Sequence, residues 1–276
     1  MKSVITCAGK GTRLLPFSKE LPKEMAPVFL NGSEGMEIKP LLQLIFENLY
    51  KIDIRQYCFV TGKTKRSIQD HFYPSELGRT KKLDEFFKMI KDSTLFWTDQ
   101  LNPKGFGDAV LASKSFVNNE SFILHAGDVS FLPNHLENLK DLYSLENSDI
   151  DAAFLVREVN DPERHGIITS NKNEGEFLKV DKIVEKPSKP ESNLGVFPIY
   201  YFKNSIFDAL ENTTPGYGNE IQLTDAIEKL ILDGKKVVAK KISSSYVMDV
   251  GTPESYFSSI NLSYNFSKKG SKWLLI

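Results

Sequence analysis

Short apolar runs alternate with amphipathic stretches through the first half of the chain. The runs have the length of buried β-strands, and they are Ser3–Ala8, Tyr57–Thr61, Thr94–Trp97 and Ser121–His125. Between them, apolar residues recur at helical spacing in Pro40–Leu49, in a segment that Thr64 can cap and that includes Ile68 and Phe72, and in Phe106–Phe116. Strands that alternate with helices predict βαβ units and a mostly parallel sheet.

The second half of the chain has strands with turn-rich gaps between them, which predicts partly antiparallel pairing. The predicted strands are Ala152–Val159, Ile167–Ser170, Lys179–Val184, Val196–Phe202, Val237–Ile242 and Tyr246–Val250. Thr224–Asp233 is predicted as a helix with Thr224 as its N-cap and Gly234 after its end. No element is predicted for the polar and aromatic tail from Ser258 onward. Because the sequence has no repeat and no clean linker, we predict one α/β domain over residues 1–276 with a mixed, mostly parallel central sheet.

Composition places the chain among ordinary globular proteins. Of its 276 residues, 41% are hydrophobic and 26% are charged, and the net charge is −1, so nothing global predicts binding to nucleic acid or to an acidic membrane surface. Cys7 and Cys58 lie in predicted buried strands, which indicates two free thiols in a reducing compartment. The sequence shows no signal peptide or membrane span, so we expect a cytoplasmic protein.

The first strand leads into a glycine-rich loop, VITCAGKGTRLLPFSKELPKEM, at residues 4–25. The loop lacks the Gly-Lys-Ser/Thr triplet of a Walker A motif, and Leu14 stands where a dinucleotide-binding fingerprint has its third glycine. Gly9 and Gly11 allow a tight turn whose backbone N–H groups form an anion site. Positive charges surround this turn at Lys10, Arg13, Lys19 and Lys23. Taken alone, such a loop fits a solvated surface turn as well as a phosphate site.

Two aspartates end predicted strands. Asp128 follows the fourth strand in the segment Ala-Gly-Asp, and Asp249 lies near the end of the last one. A carboxylate at a strand end suits Mg²⁺, which prefers oxygen ligands and few protein contacts, and each aspartate alone also fits a turn or a helix cap. Ligands of open α/β sheets bind outside the carboxyl ends of the strands, so we expect the Gly9–Gly11 turn and Asp128 to face one crevice.

The segment AGKGTRLLPFSKELPKEMAPV, at residues 8–28, resembles the signature of the sugar-1-phosphate nucleotidyltransferases. Within that family the chain is most similar to the bacterial and archaeal uridylyltransferases that use UTP and glucose 1-phosphate. Ser18 and Ala26 stand where the family pattern has Thr and Leu. Further matching segments follow in family order, and they are FVTGKTKRSIQDHF (59–72), DQLNPKGFGDAV (99–110), AGDVSF (126–131), RHGII (164–168), IVEKP (183–187), GNEIQLTDAI (218–227) and DVGTPESY (249–256).

The resemblance implies a Rossmann-like three-layer α/β/α nucleotidyltransferase fold. Its nucleotide-binding half would cover residues 1–130, its sugar-phosphate-binding half 150–257, and a C-terminal tail 258–276. The implied reaction converts UTP and glucose 1-phosphate to UDP-glucose and pyrophosphate by in-line attack of the sugar phosphate on the α-phosphorus. Such a reaction needs positioning and charge neutralisation rather than a covalent nucleophile. The implied cofactor is Mg²⁺, and the implied partners are the two small substrates and further copies of the chain, as a dimer or tetramer, with no nucleic acid and no membrane.

The resemblance also assigns roles to individual residues. Catalysis and charge neutralisation are assigned to Arg13, Lys23 and Asp128, and one Mg²⁺ is shared by Asp128 and Asp249. Nucleotide binding is assigned to Ala8, Gly9, Lys10, Gly11, Thr12, Gln100, Gly105 and Gly107, and sugar-phosphate binding to Gly166, Glu185 and Lys186. The residue types suit these roles, since a Gln amide can pair with a pyrimidine edge and an Arg can clamp a phosphate with two hydrogen bonds. His165 and the Glu220–Asp225 segment are expected to be mainly structural.

Three departures from the family pattern leave the base and the sugar open. Asn31–Glu37 inserts extra residues, Pro198 stands where relatives have glycine, and Asp249–Pro253 is closer to thymidylyl- and mannose-1-phosphate-type enzymes. The alternatives are a thymidylyltransferase that uses dTTP, another sugar-1-phosphate nucleotidyltransferase, and a non-catalytic relative that binds nucleotide sugars. The non-catalytic alternative predicts loss of charged site residues, and these are all present. A nucleotide-dependent oxidoreductase is disfavoured by the missing third glycine and the missing acidic residue after a second strand.

Overall fold

The computed structural model describes residues 1–32, 35–63, 65–73, 81–133, 135–242 and 246–269. Thr64, the predicted helix cap, lies outside these ranges, and so do residues 33–34 of the predicted insertion and residues 270–276 of the predicted tail.

The strands in the described ranges are β1 (Lys2–Thr6), β2 (Pro27–Gly32), β3 (Gly35–Pro40), β4 (Gln56–Thr61), β5 (Thr94–Asp99), β6 (Phe122–Ala126), β7 (Val129–Leu132), β8 (Ala152–Glu158), β9 (Gly166–Thr169), β10 (Lys172–Glu174), β11 (Phe177–Lys179), β12 (Lys182–Glu185), β13 (Leu194–Phe202), β14 (Val237–Lys241) and β15 (Tyr246–Asp249). The α-helices are α1 (Leu41–Lys51), α2 (Arg66–Phe72), α3 (Lys81–Lys91), α4 (Phe106–Leu111), α5 (Lys114–Val117), α6 (His135–Tyr143), α7 (Ser205–Glu211), α8 (Leu223–Leu232) and α9 (Pro253–Lys268). Short 3₁₀ turns include Thr12–Leu14, Phe17–Lys19, Lys23–Met25 and Tyr217–Asn219.

One large sheet forms the centre of the fold, in the order β10-β11-β14-β8-β13-β6-β1-β4-β5. The strands β5, β4, β1, β6, β8 and β14 run in one direction, and β13 runs against its neighbours β6 and β8. β9 pairs with both β12 and β13, and separate two-stranded pairs are formed by β7 with β15 and by β2 with β3. The prediction of a mixed, mostly parallel central sheet is confirmed.

The sheet has a core on each face, as a three-layer fold requires. Neighbouring residues of β1 alternate between these cores because successive side chains of a strand point to opposite faces. Ile5 packs in the core that includes Leu41 of α1, whereas Val4 packs in the core that includes Ile227 of α8. Both faces are therefore covered by helices, and the functional residues are left to the ends of the strands.

Several predicted elements need correction at their boundaries. The helix predicted over Phe106–Phe116 is broken into α4 and α5. The strand predicted over Lys179–Val184 is two strands, because β11 pairs with β14 while β12 turns away to pair with β9. Thr224 is wrong as an N-cap: Gln222 precedes the helix, and the Thr224 hydroxyl donates instead to Oε2 of Glu185 at 3.0 Å.

Pro198 lies inside the long strand β13, where a proline lacks the N–H needed for sheet pairing. The pairing of β13 with β8 shifts register between Phe197 and Tyr200, which places Pro198 in an irregularity of the ladder. Proline within a sheet is tolerated at such bulges because one residue there has no ladder hydrogen bond to make. The departure from the family pattern therefore has a local structural explanation.

The tail from Ser258 is helical as far as it is described, and the sequence pattern gave no sign of this. The helix α9 begins with a capping box between Thr252 and Ser255. It buries small polar residues, Ser259 and Ser263, and exposes Phe257, of which 67% is accessible. This inverted pattern hides the helix from a search for an apolar stripe.

The cysteines and helices bear on the predicted environment of the chain. Cys7 and Cys58 are buried and free, as predicted, and burial raises the pKa of the Cys58 thiol to about 12. Across the ranges described above, the helices lack the combination of length and apolar composition that a membrane crossing needs.

Candidate active site

A cavity of about 410 Å³ opens beyond the carboxyl ends of β1 and β6. The predicted site residues that line it are Ala8, Gly9, Lys10, Thr12, Lys23, Gln100, Gly105 and Asp128. A neighbouring cavity of about 260 Å³ shares Ala8, Gly9, Lys10 and Gln100 and extends to Lys65. The predicted crevice between the glycine turn and the end of β6 is therefore present.

The glycine turn is shaped by one left-handed residue and one side-chain crosslink. Gly11 has a φ of +64°, and a Cβ there would lie 3.1 Å from Cβ of Ser18. The Ser18 hydroxyl donates to the Gly11 carbonyl at 2.6 Å, so serine closes the turn where the family pattern has threonine. The turn leaves Lys10 and Arg13 exposed beside the cavity.

Lys23 and Asp128 form an ion pair at the floor of the cavity. Burial opposes both charges, but the attraction between the two groups outweighs it, so the pKa of Lys23 is raised and the pKa of Asp128 is lowered. Gly127 permits this arrangement, because a Cβ there would lie 2.7 Å from Sγ of Cys7. Asp128 is thus held as a carboxylate whose position is fixed by the tight turn after β6.

Asp249 reaches the same place from β15. This strand pairs with β7, opposing Asp249 to Val129, and the N–H of Val250 donates to the Asp128 carbonyl at 3.0 Å. Burial and the neighbouring charge of Asp128 raise the pKa of Asp249. Two carboxylates in this position repel each other, and a cation between them would remove the repulsion.

Arg13 lies close to Asp249, although it does not line the cavity. A Cβ placed on Gly251 would lie 3.0 Å from Oδ1 of Asp249 and 3.5 Å from Nη2 of Arg13. The positive charge of the Arg13 guanidinium partly offsets the rise in the pKa of Asp249 that burial and Asp128 cause. The fold therefore brings together Arg13, Lys23, Asp128 and Asp249, which are the residues predicted to handle charge.

A second buried ion pair supports the first and was missed in the sequence. Glu24, of which 1% is accessible, accepts two hydrogen bonds from Nζ of Lys65, at 2.7 and 2.8 Å. Lys65 lies just before α2, in the segment after β4, so the pair ties the Lys23–Met25 turn to a neighbouring strand end. Both residues lie in segments that match the family pattern, and that match was the available signal.

Behind the turn that carries Asp128 lies a buried histidine pair, His125 and His135, which are ten residues apart in sequence. Nδ1 of His125 lies 2.7 Å from the Ala126 carbonyl, which can only accept, so Nδ1 carries the proton. A neutral His125 then accepts at Nε2 from Nε2 of His135, 3.0 Å away. Nδ1 of His135 in turn accepts from the Ser130 hydroxyl at 2.8 Å. This chain of hydrogen bonds links β6, β7 and α6 beneath the site.

Gln100 is buried at the edge of the cavity and is already engaged. Its Nε2 donates to the Gly105 carbonyl at 3.1 Å and to Oδ2 of Asp108 at 2.6 Å. Gly105 has a φ of +117°, and a Cβ there would lie 2.6 Å from the Ile221 carbonyl. Gly107 packs against the same carbonyl, to which its N–H donates at 2.9 Å, and it does not line the cavity.

The residues predicted to bind the sugar phosphate meet where β9 pairs with β12. Gly166 lies directly opposite Glu185, and a Cβ on Gly166 would lie 2.8 Å from Cγ2 of Thr224 and 3.1 Å from Oε2 of Glu185. Nζ of Lys186 lies 3.4 Å from Oε1 of Glu185. The His165 carbonyl accepts from the N–H of Lys186 at 3.0 Å, and Nε2 of His165 lies 3.2 Å from Oδ1 of Asp161, while its mainly structural role stays a prediction.

The segment from Glu220 to Thr224 joins the two groups of residues. Glu220 lines the large cavity beside Gly105, and Thr224 donates its hydroxyl to Glu185. This segment is therefore part of the site wall as well as a structural element. One short segment therefore connects the residues predicted to bind the nucleotide with those predicted to bind the sugar phosphate.

The sequence profile of the nucleotidyl transferase family matches residues 2–264. The chain belongs to the nucleotidyl transferase family. The matched span includes every predicted site residue of this nucleotidyl transferase, from the glycine turn to Asp249.

Individual relatives narrow the comparison. The UTP–glucose-1-phosphate uridylyltransferase of Bacillus subtilis (strain 168) is 38% identical over 241 residues, which cover 83% of this chain and 80% of the relative. The enzyme of the same name from Streptococcus pyogenes is 37% identical over 249 residues, covering 83% and 78% of the two chains.

Solved structures agree with these relatives. A UDP-glucose pyrophosphorylase complexed with UDP-glucose superposes with a TM-score of 0.85 at 29% identity, covering 98% of this chain and 100% of the other. A UTP-bound UGPase from Acinetobacter baumannii superposes with a TM-score of 0.77 at 30% identity, covering 98% and 94%. The predicted family and the nucleotidyltransferase fold are confirmed.

Proposed function

We propose that this nucleotidyl transferase transfers a uridylyl group from UTP to glucose 1-phosphate, giving UDP-glucose and pyrophosphate. The observation that carries the proposal is the meeting of Arg13, Lys23, Asp128 and Asp249 beside the glycine turn. These residues supply the charges that phosphoryl chemistry needs. Relatives that are 37–38% identical over 83% of this chain are named for this reaction.

The protein residues act by positioning and by neutralising charge. Backbone N–H groups of the glycine turn and the side chain of Lys10 hold the triphosphate of the nucleotide at the cavity. Arg13 and Lys23 stabilise the negative charge that builds on the phosphates as the sugar phosphate oxygen attacks the α-phosphorus and pyrophosphate leaves. No covalent enzyme intermediate is required for this exchange.

Mg²⁺ fits the donor set at this site. Asp128 and Asp249 are neighbouring carboxylates, and Mg²⁺ is bound in proteins by one or two carboxylates together with waters and substrate phosphates. Burial and the neighbouring charge of Asp128 raise the pKa of Asp249, and a divalent cation would offset the repulsion between the two carboxylates. When bound, the ion would neutralise phosphate charge next to the reacting phosphorus.

The two substrates are recognised in different parts of the surface. Gln100 lines the cavity with its amide held by Asp108, so Oε1 is the atom that remains for a base edge. On the other side, Glu185 offers Oε1 to sugar hydroxyls while Thr224 holds Oε2, and Lys186 offers its ammonium to the sugar phosphate. Gly166 has no side chain, which lets Thr224 and Glu185 pack closely against it.

A substrate matrix tests the proposal. Pyrophosphate release is followed with UTP, dTTP, ATP and GTP, each against glucose 1-phosphate and other hexose 1-phosphates, in the presence of Mg²⁺. We expect the fastest turnover with UTP and glucose 1-phosphate. Faster turnover with dTTP would reassign the protein as a thymidylyltransferase, and equal rates with ATP or GTP would contradict pyrimidine recognition.

We further propose self-association and a cytoplasmic location for the protein. The free thiols of Cys7 and Cys58 fit a reducing compartment. Light scattering coupled to size-exclusion chromatography tests the first part, for which a dimer or tetramer is expected and a monomer at all concentrations would be contradictory.

A further inference from the structure

An exposed aromatic ring faces the ammonium of Lys186. Nζ of Lys186 lies 4.7 Å from the centre of the Tyr217 ring, over its face. Of Tyr217, 57% is accessible, so the ring is not part of the core. A cation over an aromatic face is attracted by the negative charge of the π system. The contact lies next to the carboxylate of Glu185, in the sugar-phosphate part of the surface.

Both partners of this contact are held by constrained backbone. Lys186 has a φ of +42°, which non-glycine residues seldom adopt, and its N–H donates to the His165 carbonyl. On the other side, Gly218 and Asn219 both have positive φ and turn the chain sharply after Tyr217. The buried amide of Gln222 donates to the Tyr217 carbonyl at 3.0 Å. The ring is therefore presented by a fixed loop.

The contact gives Lys186 an alternative to the neighbouring carboxylate. Glu185 and Lys186 are adjacent, and their charged groups lie 3.4 Å apart. An ammonium that folded fully onto Glu185 would be neutralised and less able to bind an anion. The face of Tyr217 attracts the same ammonium without neutralising its charge, and a neutral ring is displaced more easily by a phosphate than a carboxylate is.

We propose that Tyr217 is a positioning residue that holds the Lys186 ammonium ready for the phosphate of the sugar 1-phosphate. Tyr217 thereby favours the sugar-phosphate substrate without contributing to nucleotide binding. This inference rests on the proposed function, in which Lys186 binds that phosphate.

Kinetics on matched variants test the role of the ring. Pyrophosphate release is measured for the wild type, Tyr217→Phe and Tyr217→Leu. In one series glucose 1-phosphate is varied at saturating UTP, and in a second series UTP is varied at saturating glucose 1-phosphate. We expect Tyr217→Leu to raise the KM for glucose 1-phosphate about two- to fivefold, the scale of an exposed cation–π contact. The KM for UTP should stay unchanged, and Tyr217→Phe, which keeps the aromatic face, should behave as wild type. Tyr73→Leu, at a tyrosine that is 65% accessible, controls for loss of an exposed ring.

A double-mutant cycle shows whether Tyr217 acts through Lys186. In a Lys186→Ala background, Tyr217→Leu should cause no further rise in KM. A further rise would mean that the ring contacts the sugar itself, and a lowered KM in the single variant would mean that Tyr217 withholds Lys186 from the phosphate. Either result overturns the proposal, as does loss of affinity in Tyr217→Phe.

Calorimetric titration with glucose 1-phosphate separates this inference from the proposed function. It needs no turnover, so it reports on Tyr217 even in a protein that releases no pyrophosphate. Absent turnover in the wild type would contradict the proposed function alone. Equal affinities of wild type and Tyr217→Leu would contradict the role of Tyr217 alone, and absent binding in the wild type would contradict both.

Discussion

Buried charged residues at the site are paired with one another, whereas Lys10 and Arg13 are exposed. Lys23 is paired with Asp128, and Lys65 holds the buried Glu24. Asp249 differs, because burial and the charge of Asp128 together raise its pKa above the ordinary value for aspartate. A cation bound beside Asp249 would offset the repulsion between this carboxylate and Asp128.

Asp128→Asn should reduce turnover by about 100-fold or more, on the scale of losing one preorganised electrostatic contact. The substitution removes one predicted metal ligand and leaves the buried ammonium of Lys23 without its carboxylate. The measurement is kcat, together with the Mg²⁺ concentration for half-maximal rate, which should rise. The matched control is Asp141→Asn, which changes a carboxylate on α6 that is paired with Lys240 of β14. Unchanged turnover in Asp128→Asn would refute the assigned role.

Arg13→Ala should lower kcat by about 100-fold, because its charge matters most when negative charge builds on the reacting phosphates. Lys19→Ala removes one charge from the neighbouring turn, where Lys19 is exposed and lies 3.4 Å from Glu20, so its loss should be much smaller. Steady-state kinetics with varied UTP separate the effects. A raised KM at unchanged kcat would instead identify Arg13 as a uniform binding residue.

At the level of elements, the geometry of the residues predicted to bind the sugar phosphate depends on how closely the β9–β12 strand pair approaches α8. Gly166 of β9 lies opposite Glu185 of β12, and Thr224 of α8 fills the space above both. The lack of a side chain at Gly166 is needed, since a Cβ would meet Cγ2 of Thr224 at 2.8 Å. The position of Glu185 is thus set by two elements at once.

Gly166→Ala should raise the KM for glucose 1-phosphate about tenfold, since crowding of this kind costs roughly 1–3 kcal/mol. The added methyl displaces Thr224 and with it the carboxylate of Glu185, whereas the KM for UTP should change little. Combining it with Thr224→Ser removes Cγ2 but keeps the hydroxyl, so the double variant should recover part of the affinity. No recovery would show that steric contact with Thr224 is not the cause.

The elements that the sequence failed to predict have a common physical origin. The helix α9 buries Ser259 and Ser263, whose hydroxyls bond to Asp249 and Phe29 backbone groups or to the helix itself, so it has no apolar stripe. The break after Lys179 arises from strand pairing with two different partners. Tertiary pairing decides both outcomes, and local periodicity does not report it.

The candidate site was predicted in the same uneven way. The glycine turn, Asp128 and the Glu185 segment follow from local residue patterns and from the family resemblance, and the structure places the glycine turn and Asp128 at one cavity. The Glu24–Lys65 pair joins segments that are distant in sequence, and the His125–His135 pair joins β6 to α6. No spacing rule predicts which buried polar groups will be each other's partners.

On the scale of the whole molecule, the large sheet connects most of the site, whereas Asp249 lies on the separate β7–β15 pair. The antiparallel pairing of β13 with β6 joins the parallel half to the mixed half. The segment at Ile221 reaches back to accept from the N–H of Gly107 and to crowd Gly105. The parallel half and the mixed half are therefore fixed relative to one another by sheet pairing and by this segment.

Stability should fall as the pH drops below 6.5, because two buried histidines resist protonation. Burial lowers the pKa of His125 to about 4 and also lowers the pKa of His135. Unfolded histidines titrate near pH 6.5, so below that pH the unfolded chain binds protons that the folded chain excludes. Urea unfolding between pH 6.5 and 5 should show a loss of up to about 1.4 kcal/mol per pH unit for each histidine. His135→Gln should reduce this slope by up to about 1.4 kcal/mol per pH unit, which is the contribution of one proton. An unfolding free energy independent of pH over this range would contradict the buried neutral pair.

The central claim is uridylyl transfer to glucose 1-phosphate at the site built around Asp128. Mass spectrometry of a reaction containing the protein, UTP, glucose 1-phosphate and Mg²⁺ tests it most directly. We predict UDP-glucose and pyrophosphate in equal amounts, with the yield strongly reduced by EDTA and by Asp128→Asn. Formation of UMP or UDP without UDP-glucose, or undiminished UDP-glucose with Asp128→Asn, would contradict it.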